Sequence, residues 1–255
     1  MTIRDTFDAL RSRRELALIP YLTGGYPTMA DFTRHLRTVA SSGADLIEIG
    51  VPFCDPIADG PTIQHSSQVA LAAGASLHSI VEAVRAAAVG QPLIFMSYLN
   101  PLLAYGGERL LGDMAAARVT GLIIADLPVE ESDEWIEPAQ KVGVDLIFLA
   151  APTSTDARLS EIAARASGFI YAVSRTGTTG VQAALSGDLG QFLGRIRALT
   201  QTPIAVGFGI SSADQIASLH GLADGVVVGS KLVDTIGKGG DLAGEIGKLK
   251  RACLR

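Results

Sequence analysis

Apolar residues recur along the chain in short runs at intervals of roughly thirty residues, a spacing typical of repeated strand-helix units. Eight such runs are predicted to be β-strands: residues 16–22, 45–50, 93–98, 121–126, 144–150, 168–173, 203–207 and 224–229. Stretches with helical spacing follow, for example residues 31–41, 77–88, 131–142, 156–166 and 242–251. Because the strands are apolar on both faces, we expect a parallel sheet covered by helices.

The alternation of strands and helices continues over all 255 residues. No Pro-, Gly- or Ser-rich linker interrupts it, so we predict a single catalytic domain, residues 1–255, in which the units close into one (β/α)8 TIM barrel. An open, doubly wound sheet is the alternative that the same pattern allows.

Composition and charge narrow the class of protein. Apolar residues make up 48% and aromatic residues 5% of the chain, a balance that fits aliphatic strands under alanine-rich helices. With a net charge of −5 and no runs of like charge, the sequence has no basic segment to which nucleic acid or an anionic membrane would bind. The two cysteines are far apart and no apolar targeting segment follows Met1, so we expect a cytoplasmic protein.

In a barrel of this kind the chemistry takes place at the carboxyl ends of the strands. All four histidines lie on predicted helices or beside them, and the first lysine is Lys141. This inventory disfavours a metal site and a Schiff-base mechanism. Lys231 lies just past the eighth strand, where we expect it to meet a phosphate. Carboxylates are left as the candidate acid and base.

The second strand carries the most informative carboxylate, Glu48. Strand alternation places Glu48 on the same face as Leu46 and Gly50, which we expect to point into the barrel. Among aliphatic neighbours a carboxylate loses hydration, so its pKa rises toward the range of a proton shuttle. A structural ion pair is the alternative, although no basic residue lies nearby in the sequence.

Asp59 ends the long, proline-containing loop that follows the second strand. Taken alone, the Asp-Gly-Pro sequence is typical of a turn in which the aspartate bonds its own backbone. Its position in a long loop at the carboxyl end of a strand makes Asp59 a second candidate for catalysis, because such loops tend to be functional.

Glycine-containing segments follow the sixth, seventh and eighth strands, at residues 177–180, 207–211 and 229–230. Barrels commonly bind phosphate there, because glycines let backbone N–H groups approach the ligand and a short helix after the last strand adds its own. We therefore predict a phosphate site after strands six to eight.

Several sequence blocks, in this order along the chain, resemble the alpha chains of tryptophan synthase over essentially the whole barrel. They are residues 46–53 (LIEIGVPF) with 55–64 (DPIADGPTIQ), residues 126–131 (DLPVEE), residues 174–180 (SRTGTTG) and residues 206–211 (VGFGIS). The resemblance implies retro-aldol cleavage of indole-3-glycerol phosphate to indole and glyceraldehyde 3-phosphate, a lyase reaction of tryptophan biosynthesis.

The resemblance also implies roles for single residues. Glu48 matches the acid/base that moves protons at indole C3 and at the side-chain hydroxyl, Asp59 the carboxylate that holds the indole N–H, and Thr179 a lid residue that closes over Asp59. The positions that match the phosphate site are Gly180, Gly209, Gly229 and Ser230, and those that match the indole site are Tyr21, Met96, Ile123, Leu149, Tyr171 and Phe208. Strand alternation also directs the first five of these indole residues inward, where core packing is the alternative for each.

The partner that the resemblance implies is a pyridoxal-phosphate-dependent beta subunit, in an alpha2beta2 assembly. Pro52 and Asp55 match positions at that interface, and the cofactor is expected only in the partner, with none in this chain. Two other functions stay open at this point: a stand-alone lyase that releases indole for secondary metabolism, and a non-catalytic phosphate-binding barrel that only activates a partner. The presence of both Glu48 and Asp59 argues against the non-catalytic barrel.

Overall fold

The computed structural model describes residues 1–174 and 188–254, in which strands alternate with helices. The strands are β1 (Ala17–Thr23), β2 (Ile47–Gly50), β3 (Leu93–Ser97), β4 (Val119–Ile124), β5 (Asp145–Ala150), β6 (Ile170–Val173), β7 (Ile204–Gly207) and β8 (Gly225–Val228). The helices are α1 (Ile3–Arg13), α2 (Met29–Ser41), α3 (Pro61–Ala72), α4 (Leu77–Ala87), α5 (Leu99–Tyr105), α6 (Gly107–Ala116), α7 (Asp133–Lys141), α8 (Asp156–Arg165), α9 (Asp188–Arg197), α10 (Ala213–Ala217), α11 (Ser230–Gly237) and α12 (Leu242–Cys253).

The strands form one closed, parallel barrel in the order β1 to β8. Closure depends on β1, which pairs with β2 on one side and with β8 on the other, where Leu18 lies opposite Val226. This arrangement confirms the predicted (β/α)8 barrel. The alternative, an open doubly wound sheet, is wrong, because an open sheet has two edge strands with one neighbour each, whereas every strand here has two.

The predicted strands differ from the observed ones mainly at their ends. β4 spans Val119–Ile124 instead of residues 121–126. The chain leaves the ladder before Asp126, whose side chain accepts a hydrogen bond from the Leu99 N–H at 2.7 Å in the turn beyond the strand. α7 begins later than predicted, at Asp133, because a short 3₁₀ turn precedes it.

The helices cover the barrel with apolar faces at helical spacing. In α4, for example, Ser76 caps the first turn, and Ile80, Val81 and Val84 are buried. Within the described part of the chain, no single helix is long and apolar enough to cross a membrane. α3 and α4 meet that test only as a pair, on length and composition, with a bend of 94° between them.

The amino-terminal end of the barrel is closed by α1. Ile3 and Phe7 of this helix are fully buried and fill the space that two strand glycines leave open. A Cβ on Gly121 would lie 2.9 Å from Ile3 Cδ1, and a Cβ on Gly225 would lie 3.2 Å from Phe7 Cε1. A ligand that reaches the barrel interior therefore enters from the carboxyl-terminal end.

Asp45 ties the last helix to the barrel wall. Its carboxylate accepts a hydrogen bond from the Leu18 N–H at 2.8 Å and binds Lys250 Nζ at 2.9 and 2.7 Å. The two side chains are only 15% and 19% exposed. Because Asp45 is held by these contacts, β2 begins at Ile47 rather than at residue 45 as predicted.

We expect Asp45→Ala to lower the free energy of unfolding by about 2 kcal/mol, because it leaves the Leu18 N–H and a mostly buried ammonium without their partner. Asp45→Asn keeps an acceptor for Leu18 and is expected to lose about half as much. Urea unfolding at constant pH measures both changes. Glu137→Ala, which breaks an exposed pair with Lys141, is the control and should have no measurable effect. A loss no larger in Asp45→Ala than in this control would contradict the account.

Candidate active site

The register of the barrel brings the predicted inward residues onto one face. Residues that lie opposite one another in parallel strands point to the same side of the sheet. The relevant pairings are Tyr21 with Glu48, Gly50 with Met96, Met96 with Ile123, and Leu149 with Tyr171. Glu48 and the predicted indole residues of the strands therefore surround the same space inside the barrel.

Glu48 is almost completely removed from water, with 1% of its surface exposed. Its Oε2 atom is buried and has no hydrogen-bond partner within residues 1–174 and 188–254. Burial, and second the charge of Asp59, raise the pKa of Glu48 from 4.5 to about 8. Among the described residues no cation contributes to this shift, so the alternative of a structural ion pair finds no support there, and Glu48 holds its proton at neutral pH.

Asp59 is held in place by Tyr98. The Tyr98 hydroxyl donates a hydrogen bond to Asp59 Oδ2 at 3.1 Å and accepts one from the Ala58 N–H at 3.0 Å. The Asp59 backbone does form a turn, with its N–H bonded to Pro56 O at 3.1 Å, but the side chain is bound by Tyr98. Burial raises the pKa of Asp59 to about 6, and the Tyr98 hydrogen bond opposes this rise. Asp59 is therefore charged at a pH where Glu48 is neutral.

Sequence reasoning missed Tyr98. This residue directly follows β3 and is 4% exposed, and its ring packs on Phe53 of the loop after β2, with the ring centroids 5.3 Å apart. It thereby joins that loop to the third strand. A signal was available, since a buried tyrosine at the carboxyl end of a strand brings a hydroxyl group that needs a partner.

Two tyrosines reach across the barrel mouth over strand-ending glycines. A Cβ on Gly50 would collide with the hydroxyl of Tyr21, and a Cβ on Gly207 would collide with the hydroxyl of Tyr171. Burial first, and the nearby carboxylates second, raise the pKa of both tyrosines well above the usual value. Both hydroxyl groups therefore stay neutral, and glycine is required at positions 50 and 207 for this close approach.

The predicted phosphate residues lie at the same end of the barrel. Gly209 follows β7 with a φ of 101°, Gly229 precedes α11, and Ser230 is the first residue of that helix. Gly209 and Ser230 are exposed. Gly180 and Thr179 lie outside the described residues, so their contributions to the phosphate site and the lid stay predictions.

The predicted indole residues lie at different depths. Tyr171 and Phe208 meet edge to face, with ring centroids 5.5 Å apart. Leu149 and Phe208 are partly exposed and line the opening, and Met96 is buried just below, with 7% of its surface exposed. Ile123 has no exposed surface and lies beneath them in the core.

Each of the five lysines of the chain pairs with a carboxylate outside the barrel interior. Lys231, expected near the phosphate, extends instead toward Glu245 of α12, with 3.9 Å between Nζ and Oε1. No lysine is therefore placed to form a Schiff base with a ligand in the barrel. In the ranges that the structure describes, no three His, Cys, Asp or Glu side chains are close enough to hold a metal ion.

A cavity of about 430 Å³ lies near the opposite end of the barrel, between α1, α9 and the turn before β8. Its charged residues are engaged with one another: Arg11 and Arg197 both pair with Asp224. Asp224 also accepts a hydrogen bond from the Ile204 N–H at 2.8 Å. These contacts tie strand beginnings to helices, so the candidate active site is the one at the carboxyl end.

The loop between β2 and α3 begins with the two residues predicted at a partner interface. Pro52 is buried within the chain, whereas Asp55 is exposed. Ile57, which sequence reasoning did not single out, is 71% exposed. The exposed residues of the loop are Cys54, Asp55 and Ile57, whereas Pro52 is buried.

The whole chain is similar to proteins of one family. A sequence profile of that family, described as tryptophan synthase alpha chain, matches residues 7–253. The chain belongs to the tryptophan synthase alpha chain family. A tryptophan synthase alpha chain of Methanosarcina acetivorans is 44% identical over 250 residues, which cover 98% of this chain and 91% of the relative. One of Roseiflexus castenholzii is 47% identical over 237 residues, which cover 92% and 91%.

Solved structures of tryptophan synthase have the same fold. A chain of the Mycobacterium tuberculosis enzyme superposes with a TM-score of 0.94 at 36% identity, covering 99% of this chain and 98% of that chain. Tryptophan synthase subunit alpha of Legionella pneumophila gives a TM-score of 0.88 at 31% identity, with the same coverage of 99% and 98%.

These likenesses confirm the family, the barrel fold and the function as an alpha subunit, a lyase of tryptophan biosynthesis, that were predicted from the sequence. They do not favour the two alternatives, a stand-alone lyase and a non-catalytic barrel. The likenesses do not test the roles of Glu48, Asp59 and the other site residues, which stay predictions.

The raised pKa of Glu48 predicts how stability depends on pH. The native state keeps the Glu48 proton up to about pH 8, whereas the unfolded chain releases it near 4.5. Between these values the native state binds more protons, so this contribution to stability falls as pH rises and is constant above about pH 8. The stability of wild type relative to Glu48→Gln should therefore fall by on the order of a few kcal/mol from pH 4.5 to 8. Denaturant unfolding of both proteins measures this, and a pH-independent difference would contradict it.

Proposed function

We propose that this chain cleaves indole-3-glycerol phosphate by a retro-aldol reaction to indole and glyceraldehyde 3-phosphate. The observation that carries the proposal is a pair of interacting carboxyl groups in the barrel with pKa values raised to about 8 for Glu48 and about 6 for Asp59. At neutral pH such a pair supplies one proton donor and one anion. The retro-aldol cleavage proposed here needs both.

Glu48 is the acid and base of this reaction. Its carboxyl group donates a proton to indole C3, which converts the ring to an indoleninium and makes it the electron sink. The bond from C3 to the side chain then breaks and its electron pair returns to the ring. The Glu48 carboxylate accepts the proton of the adjacent hydroxyl as the aldehyde forms, so the residue ends protonated as it began.

Asp59 acts at the ring nitrogen, as an anion. Its carboxylate accepts a hydrogen bond from the indole N–H, an interaction that strengthens as positive charge develops on the protonated ring. The Tyr98 hydroxyl, which donates to Asp59 Oδ2, limits the rotation of this carboxylate. The two carboxyl groups thus take different roles because their surroundings hold them in different protonation states.

The rest of the substrate is bound at the same mouth. We assign the phosphate to the backbone N–H groups of Gly180, Gly209 and Gly229 and to the Ser230 hydroxyl, where the first turn of α11 adds its positive end. We assign the indole ring to the apolar pocket above Ile123, whose walls are Tyr21, Met96, Leu149, Tyr171 and Phe208. Thr179 is assigned as the lid residue over Asp59.

Glu48→Gln is expected to lower the turnover of indole-3-glycerol phosphate by about 10²-fold or more, because an amide cannot exchange the proton. Asp59→Asn should cause a loss of similar size, since it removes the charge that faces the developing cation. Asp145→Asn is the matched control: burial also raises the pKa of this carboxyl, but it lies at the amino-terminal end of β5. The measurement is indole release under saturating substrate. Turnover near the wild-type value in Glu48→Gln would assign the proton transfers to another group.

We further propose that a pyridoxal-phosphate-dependent beta subunit docks on this end of the barrel, in an alpha2beta2 assembly in the cytoplasm. Asp55 and Ile57 offer an exposed surface on the loop that ends in Asp59, and Leu103 of α5, at the same end, is 57% exposed. Docking on one part of this loop can therefore bias the geometry of Asp59 at the other. Pyridoxal phosphate belongs to the partner, and a chain of net charge −5 is not expected to bind nucleic acid or membranes.

Saturating beta subunit should raise indole release by about tenfold or more, which requires only about 1.4 kcal/mol of preferential binding to the productive loop geometry. Ile57→Asp should weaken the activation without changing basal release. Leu199→Asp is the control, because Leu199, like Ile57, is an exposed aliphatic residue, 44% exposed, but lies beyond α9 at the other end of the barrel. A flat response to beta subunit together with fast basal release would support the stand-alone lyase instead.

A further inference from the structure

The turn after β7 has an unusual backbone. Phe208 has a φ of 63°, and Gly209 follows it with a φ of 101°. The other non-glycine residues with positive φ in the described ranges are Arg14, Ala88 and Arg118, each of which lies within two residues of the carboxyl end of a helix. Left-handed residues are common at helix ends. At the end of a strand, a bulky aromatic residue in this conformation is strained and needs support from its surroundings.

Ser174, at the end of β6, provides that support. Its hydroxyl donates a hydrogen bond to the Phe208 carbonyl, and its backbone N–H donates to Gly207 O at 3.1 Å. The side chain is buried, with 6% of the residue exposed. Tyr171, on the same strand, packs its ring on Phe208. The neighbouring strand therefore holds the strained residue by its backbone and by its ring.

The chain beyond the turn is fixed as well. Gln215 Oε1 accepts hydrogen bonds from the N–H groups of Ser211 and Ser212 at 2.8 and 3.2 Å. Gly209 thus lies between two anchored segments, and the bond from Ser174 to Phe208 is the anchor nearest to it. The Phe208 carbonyl and the Gly209 N–H belong to the same peptide group. A change in that bond would therefore alter the direction of the Gly209 N–H.

We propose that Ser174 is a positioning residue for the phosphate of the substrate. By bonding the Phe208 carbonyl it stabilises the left-handed conformation, and this fixes the Gly209 N–H in the direction that a phosphate oxygen requires. The inference rests on the proposed function, in which Gly209 binds that phosphate. Ser174 itself takes no part in the proton transfers.

Ser174→Ala should raise KM for indole-3-glycerol phosphate about tenfold and change kcat by less than about threefold, because it removes a determinant of phosphate binding and leaves the acid and base in place. The pH dependence of kcat should be unchanged. Calorimetry with rac-glycerol 3-phosphate, which carries the phosphate without the indole, should show the same tenfold loss of affinity. Ser174→Thr keeps a hydroxyl and should restore most of it. Ser132→Ala is the control, because Ser132 is also buried and its hydroxyl donates to a backbone carbonyl, that of Val129, at 2.6 Å.

Repeating the substitution in the Phe208→Gly variant distinguishes a positioning role of Ser174 from a general loss of stability. Phe208→Gly removes the conformational strain, so adding Ser174→Ala to it should weaken rac-glycerol 3-phosphate binding by less than about twofold. If Ser174→Ala does not fold, Ser174→Cys, a poor donor of similar volume, gives the same comparison. Equal affinity of wild type and Ser174→Ala for rac-glycerol 3-phosphate would overturn the proposal. So would a loss of affinity that is as large when Ser174→Ala is added to Phe208→Gly as when it is made in the wild type. Failure of wild type to cleave the substrate even with beta subunit would instead overturn the proposed function.

Discussion

Removal of the Glu48 carboxyl group from water is the condition on which the rest of the site depends. In water this group would be ionised at neutral pH and could not deliver a proton to a carbon atom. Burial in the barrel, with one oxygen left without a partner in the described residues, keeps the proton on it. A buried carboxyl group of this kind lowers the stability of the fold above the ordinary pKa of a glutamate. The closed barrel and the packing of α1 against its amino-terminal end have to offset this loss.

The same barrel controls how closely the site residues approach one another. Tyr21 and Tyr171 extend over Gly50 and Gly207, and any larger residue at these glycines would push the tyrosine hydroxyl groups out of the mouth. Each of these glycines is the last residue of its strand, so the ladder ends where the ligand space begins. Glu48 is thus fixed on a rigid strand, whereas Asp59 lies on a loop and is held there by Tyr98.

Strand periodicity was sufficient to predict the barrel and the inward direction of Glu48 and of the strand residues around it. Successive side chains of a strand point to opposite faces, so residues two positions apart must share a face. It was also sufficient to predict that Glu48 has a raised pKa, since the aliphatic neighbours are adjacent in sequence. The contacts of Tyr98 with Asp59 and of Ser174 with Phe208 could not be predicted in this way. Both join segments that are far apart in the chain, 39 and 34 residues respectively, and depend on the path of a loop. The same holds for Lys231, whose direction is set by the packing of α11 beside α12.

The central claim is that Glu48 is a protonated acid in the resting protein, and its carboxyl carbon reports this directly. Carbon-13 NMR of protein labelled at the glutamate side-chain carboxyl, with Glu48→Gln used to assign the signal, follows the protonation of this one group. We expect a titration near pH 8, far above the ordinary value of a glutamate, in the absence of substrate. A Glu48 signal that titrates between about pH 4 and 5, as in a solvated glutamate, would contradict it.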